Sequence, residues 1–330
     1  MSSSQGASPP EPRRRGEALP VLQAHPPGDR FGRDRQALRL PDFLKRKMGK
    51  GERVRDVRRL LRSSQLVTVC EEARCPNLAE CFERRTATFM VMGSICTRAC
   101  GFCAVDTGVP LPLDPDEPRR VAEAAATLGL AHVVITSVDR DDLPDGGAAH
   151  IRAVTEAVRA EMPEAVIEVL TPDFRGDLDA VDVVASGPVD VFNHNVETVP
   201  RLYSRVRPRA RYHWSLGVLA HVSAHHPETV TKSGMMVGLG EQPEEIKALM
   251  GDLREAGVNI MTIGQYLRPS IRHVPVVEYL TEEAYAQLKR WGDDLGFEHV
   301  FAGPFVRSSY NAAEALLHAQ QGAPVSEGAE

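Results

Sequence analysis

All six cysteines of this 330-residue chain lie between Cys70 and Cys103, in two groups of three. Cys70, Cys75 and Cys81 are spaced C-x4-C-x5-C; Cys96, Cys100 and Cys103 follow as C-x3-C-x2-C. Disulfide frameworks belong to small secreted chains, whereas thiols clustered in a large chain without a signal sequence point to metal. A ferredoxin-type carrier uses four cysteines per cluster. Three thiolates hold three irons of a 4Fe-4S cube and leave the fourth open to a substrate or another ligand, as catalytic metal sites do. A zinc knuckle is the bland alternative, although zinc favours paired C-x2-C spacing and four ligands. Pooling six thiols on one cluster leaves two unused; two three-thiolate clusters use them all.

The elements that must hold these groups follow a β/α rhythm. Apolar, β-branched runs occur at 88–95, 132–138, 165–170, 189–193, 230–237 and 258–263, with helical patterns at 119–128, 148–162 and 244–256 between them. Strands alternating with helices imply a parallel sheet with right-handed crossovers. Six such strands predict an α/β fold, a partial (β/α)6 TIM-type barrel; periodicity alone leaves an open doubly wound sheet as the alternative. Functional groups of such folds gather in loops after the strands' carboxyl ends, and the second cysteine group sits after the first strand. Upstream, Val54, Val57, Leu60 and Leu61 have helical spacing. A helix over 281–295, a strand over 299–306 and a short terminal helix close the chain. The expected divisions are a flexible basic leader (1–40), an N-terminal extension with the first cysteines (41–87), the barrel (88–270) and a C-terminal extension (271–330).

Composition is ordinary for a globular protein, 42% hydrophobic and 25% charged. No apolar run reaches the ~20 residues that span a bilayer, and no signal-peptide core is present, so a cytoplasmic enzyme with no membrane partner is expected. The net charge of −6 hides a basic start, because residues 1–65 carry 16 Lys/Arg against 7 Asp/Glu. Such an arm could steer an acidic partner; its plain reading is a solvated tail. Scattered aromatics give no stacking platform for nucleic acid. His225 and His226 lack metal-ligand spacing and read as exposed.

The C-x3-C-x2-C group, with Phe102 directly before its last cysteine, resembles the signature of the radical S-adenosylmethionine (SAM) superfamily. Its combination with C-x4-C-x5-C resembles the lipoyl synthase family in particular. The words Cys75-Pro76-Asn77, Asp106-Thr107-Gly108, 140–147, 194–198, 265–269 and Arg307-Ser308-Ser309-Tyr310-Asn311-Ala312 carry the same resemblance, from about residue 50 to 312. It implies two 4Fe-4S clusters, SAM on the open iron of the second cysteine group, and an auxiliary cluster on the first, carried by the chain's two extensions and consumed as sulfur donor. It also implies an oxygen ligand, assigned by position to Ser309 with Ser308 as fallback, and makes Arg307 and Ser309 the candidate catalytic residues. Helix capping is the competing account of those serines.

Asn195, Glu197, Arg209, Gly238, Gln265 and Tyr266 are the candidate SAM contacts; Gly238 belongs to a glycine-rich strand end that resembles the superfamily's. The implied substrate is an octanoyl chain on a lysine of a lipoyl carrier domain, from 2-oxoacid dehydrogenase E2 subunits or the glycine cleavage carrier protein. The implied partners are an electron donor such as ferredoxin or flavodoxin and an iron–sulfur carrier for cluster renewal. A biotin synthase-like sulfur-inserting enzyme and a non-catalytic electron-transfer protein or iron–sulfur sensor are the rival classes. The first would not require the R-S-S-Y tail, and the second would need a fourth cysteine per cluster.

Overall fold

The computed structural model describes residues 19–24, 38–44, 51–84 and 86–309. Its main sheet has eight strands: β1 (Val67–Thr68), β2 (Thr88–Val91), β3 (His132–Ser137), β4 (Val166–Leu170), β5 (Val191–Asn193), β6 (Val230–Val237), β7 (Ile260–Gln265) and β8 (His299–Gly303). They lie side by side in chain order, β1 antiparallel to β2 and every later neighbour parallel. A doubly wound sheet reverses its strand order at a switch point. This one never does, so the six predicted strands form the singly wound series, open at β1 and β8 among the described residues.

Seven helices of eight or more residues are described: α1 (Glu52–Ser63), α2 (Glu117–Leu128), α3 (Ala148–Glu161), α4 (Leu178–Ala185), α5 (Tyr212–His225), α6 (Pro243–Glu255) and α7 (Glu282–Asp294). From α2 to α6 each packs on the next, as an outer ring must. Their buried stripes follow helical spacing, as with Val121, Ala124, Ala125 and Leu128 of α2. The predicted strand over 88–95 ends at Val91, because Met92 (φ +68°) and Gly93 (φ +90°) turn the chain. Inside the sheet the core is partly ionic. Lys232 Nζ donates to Glu168 at 2.9 and 3.1 Å, and Asn193 Nδ2 donates to it at 2.9 Å, all three residues buried.

Part of the expected leader departs from that reading. Val21–Ala24 forms a strand antiparallel to Glu278–Leu280, because a backbone edge in the C-terminal extension offers it hydrogen bonds. His226 is half-buried and, with His221, donates to Asp182 Oδ1 (2.9 and 2.8 Å); only His225 is exposed. The expected terminal helix lies outside the described residues.

Candidate active site

A cavity of about 510 Å³ is lined by residues that follow the carboxyl ends of β2 to β8. The turn after β2 starts it. Glu117 Oε2 accepts the Met92 N–H (2.9 Å) and meets His150 Nε2 at 2.6 Å, which fixes the left-handed bend. Ile95–Cys96 then pairs with Asp106–Thr107 and closes a loop around Cys96, Cys100 and Cys103. Gly101 is packed against Arg205 O and Val274, where an added Cβ would lie 2.9 and 2.7 Å away, so only glycine fits.

Arg98, in the middle of the loop, is buried and held by three carboxylates. It forks onto Asp141 with two 2.8 Å bonds and reaches Asp173 at 2.7 Å and Asp139 at 3.3 Å. The cysteine loop is thereby bolted to the loops after β3 and β4. Burial raises the Asp139 carboxyl, and it raises the Cys96 and Cys103 thiols to about 11 and Cys100 to about 12.

The first cysteine group sits beside β1 on two short helices, Val69–Glu72 and Leu78–Glu83. Burial pushes Cys70 up to about 11 and Cys81 to about 12. In both groups the thiols that act on one another belong to the same group, Cys75 on Cys70, Cys70 and Cys75 on Cys81, and Cys103 and Cys96 on Cys100. Cys70 and Cys75 line the same cavity as Cys96, Cys100 and Cys103; Cys81 does not. Among the described residues no three His, Cys, Asp or Glu side chains converge as a site for a single metal ion would require.

The segment after β8 completes the wall. Asn77 Nδ2, two residues past Cys75, donates to Phe305 O at 2.7 Å. Gly264 leaves room for the tail, since an added Cβ would stand 2.2 Å from Val306 O and 2.9 Å from Arg307 Nη1. Arg307, Ser308 and Ser309 all line the cavity. Burial lowers the Arg307 guanidinium, and Cys75, Tyr285 and Glu197 offset that shift. Ser308 Oγ donates to Asn195 Oδ1 at 2.8 Å, whereas the Ser309 hydroxyl has no hydrogen-bond partner among the described residues.

The expected SAM contacts separate. Asn195 and Glu197 line the cavity after β5, joined by a 3.1 Å bond from Asn195 Nδ2 to Glu197 Oε1, and burial raises the Glu197 carboxyl. Arg209 is not brought in. Its side chain lies outside the cavity lining and donates to Thr97 O at 3.0 Å, while the buried Arg207 lines the wall and donates to Asn195 O at 2.8 Å. Gly238 is not brought in either, because the N–H groups of Gly238, Leu239 and Gly240 all point at Glu241 Oε2 (3.1, 2.9 and 3.1 Å). The glycine-rich strand end cradles its own carboxylate.

Gln265 and Tyr266 border the cavity with side chains already engaged. Gln265 binds Val237 O, Glu278 O, the Leu280 N–H and the Tyr285 hydroxyl; Tyr266 donates to Val274 O at 2.7 Å. Sequence reasoning missed Arg98, Asp173 and the lining role of His194. A charge between two cysteines was the available signal for Arg98; for the other two none stood out.

A site of this kind on a singly wound α/β sheet defines a radical SAM-type enzyme, and the family model "Radical SAM superfamily" matches residues 90–253. The "N-terminal domain of lipoyl synthase of Radical_SAM family" matches residues 27–75, so the resemblance reaches into the expected leader, further than the motifs indicated. Among solved structures, "Crystal structure of methylornithine synthase (PylB)" is similar over 73% of this chain and 73% of that one, with TM-score 0.49 and 14% identity. Lipoyl synthase of Rubrobacter xylanophilus is 52% identical over 317 residues, covering 94% of this chain and 98% of the relative. That of Caldanaerobacter subterraneus subsp. tengcongensis is 54% identical, covering 83% and 96%, and that of Stenotrophomonas maltophilia 51%, covering 86% and 88%. The chain belongs to the lipoyl synthase family.

Proposed function

We propose that this chain inserts two sulfur atoms, at C6 and C8, into an octanoyl group carried on a lysine of a lipoyl carrier domain. The observation that carries the reading is one cavity lined by Cys96, Cys100 and Cys103, by Cys70 and Cys75, and by Ser309. The residues fit the groups the family implies. Each set supplies three thiols, their proton affinity raised mainly by burial where a shift is resolved, and the set of Cys70, Cys75 and Cys81 is accompanied by the unengaged hydroxyl of Ser309.

Cys96, Cys100 and Cys103 would hold the SAM-binding 4Fe-4S cluster. Cys70, Cys75, Cys81 and Ser309 would hold a second. When bound, these groups and SAM supply a 5′-deoxyadenosyl radical able to take hydrogen from an unactivated carbon, and sulfide to fill the vacancy; no side-chain acid or base does this. Arg98 keeps the loop of Cys96, Cys100 and Cys103 rigid. Asn195 and Glu197 present an amide and a carboxylate to the ammonium and hydroxyl groups of SAM, and the buried Arg207 orients Asn195 through its carbonyl. Met90, Val138, Met235 and Leu267 give the acyl chain an apolar wall. Oxygen is a poorer ligand than thiolate for cluster iron, so the Ser309 hydroxyl would be the weakest of the four ties holding the second cluster.

Residues 41–87 and 271–330 serve as extensions that carry the second cluster, around a barrel over 88–270. The carriers are octanoylated 2-oxoacid dehydrogenase E2 domains or the glycine cleavage carrier protein. A ferredoxin or flavodoxin supplies electrons, and an iron–sulfur carrier renews the spent cluster. No described helix is long and apolar enough to cross a membrane, and we place the enzyme in the cytoplasm. Anaerobic reconstitution with SAM and an octanoyl-lysine peptide tests the whole reading. About eight irons per chain, two cubes of four, and a doubly thiolated peptide are expected; a single cube, or zinc, overturns it.

A further inference from the structure

The geometry points to Ser308 as a positioning residue, a latch that ties the C-terminal tail to Asn195 and so holds Ser309 beside the first cysteine group. This rests on the reading that Ser309 completes the second cluster. The Glu197 carboxylate accepts a hydrogen bond from Asn195 Nδ2 (3.1 Å), which leaves Oδ1 as acceptor for the Ser308 hydroxyl (2.8 Å). The anchor is stiff. Glu197 lies at φ +65° and is pinned to β6 by its N–H to Gly234 O (3.0 Å) and by the Met236 N–H to its own carbonyl (2.8 Å), while Arg207 grips Asn195 O (2.8 Å).

Space for the latch is made by one residue. At Gly234 an added Cβ would lie 2.7 Å from Asn195 Oδ1 and 2.8 Å from Ser308 Oγ. The tail is therefore fastened twice, at Phe305 by Asn77 and at Ser308 by Asn195, and Ser309 is the next residue after the second fastening. A single hydrogen bond thus joins the loop that faces the SAM side to the residue just before the one that would serve the other cluster.

Iron release from the anaerobically reconstituted full chain into a ferrous chelator tests this. In Ser309→Ala one iron leaves in a fast burst. In Ser308→Ala that same iron leaves about tenfold faster than from the wild type, the effect of one lost, partly buried hydrogen bond, and Ser308→Thr restores the wild-type rate. Wild-type release from Ser308→Ala, with the burst still present in Ser309→Ala, overturns the latch. A burst in Ser308→Ala but not in Ser309→Ala makes Ser308 the ligand and also overturns it. No burst in either overturns the reading of Ser309 itself. Should Ser308→Ala fail to fold, Gly234→Ala crowds the same contact from the opposite side; the latch requires accelerated release there and is overturned by a wild-type rate.

Discussion

At the scale of single residues, the least replaceable group outside the thiols is Arg98. Its buried guanidinium answers Asp139, Asp141 and Asp173 from two neighbouring loops, and Asp173 sits lower than a carboxyl usually does because, although burial pushes it up, Arg98 pulls it further down. Removing one member of such a group strands the others without a counter-charge. Arg98→Ala should cost about 3–5 kcal/mol, read from urea midpoints under anaerobic conditions; Arg98→Lys keeps the charge but loses the fork and should fall between. Equal stability of Arg98→Ala and the wild type would show that the loop stands without this bolt. Residue-level sequence reasoning picked Arg209 over Arg207 because two arginines two positions apart look alike until the chain folds; only packing decides that one is buried and the other exposed. Gly238 lies outside the cavity lining for a similar reason, since the N–H groups around it are answered by Glu241, three residues on.

Elements were legible in proportion to how much their burial imposes a period. β6, buried at all but two of its eight positions, matches its predicted span, Val230–Val237, and α2 and α3 agree within two residues because each alternates buried and solvent-facing positions in the helical rhythm. α5 carries Tyr212, Trp214, Leu216, Val218, Leu219 and Val222 around its circumference, which blurs any stripe, and it was not anticipated. Neither was the seat of the tail, which depends on two glycines in different strands being brought to one place. Gly264→Ala puts a methyl group into the Val306 carbonyl, and backbone cannot rotate away as a side chain can. Such overpacking should cost about 1–3 kcal/mol and lift the tail. The expected sign is loss of about half the iron, one cube of two, with SAM cleavage retained; full iron content in this variant would argue that the tail has another way in.

For the molecule as a whole, stability should fall with acid in two stages. His194 is buried, its Nδ1–H donating to Thr171 O and its Nε2 accepting from Ser215 Oγ at 2.9 Å each, so it has no room for a second proton. Burial, with Arg207 nearby, lowers it from 6.5 to about 4. The unfolded chain takes up that proton below pH 6.5 and the folded chain only below about 4, so stability drains across that window, on the order of 3 kcal/mol at 1.36 kcal/mol per unit. Glu168 acts next. Burial would raise it, but Lys232 and His132 hold it at about 2, and its contribution fades as pH falls from 4.5 through 2. Urea midpoints between pH 7 and 4 should decline in the wild type and stay flatter in His194→Gln; parallel curves would remove His194 from the account.

The ribbon of Val21–Ala24 with Glu278–Leu280 joins segments more than 250 positions apart. A chain leaving the ribosome cannot close that joint until nearly all of it has been made, because distant pairings wait on their later partner. The strands β2 to β7 are complete before then, as are both sets of thiols. Nascent chains would thus hold their sulfur-rich loops on a sheet of six formed parallel strands while that ribbon is still unjoined, an interval open to the delivery of iron and sulfide before the ribbon is sealed.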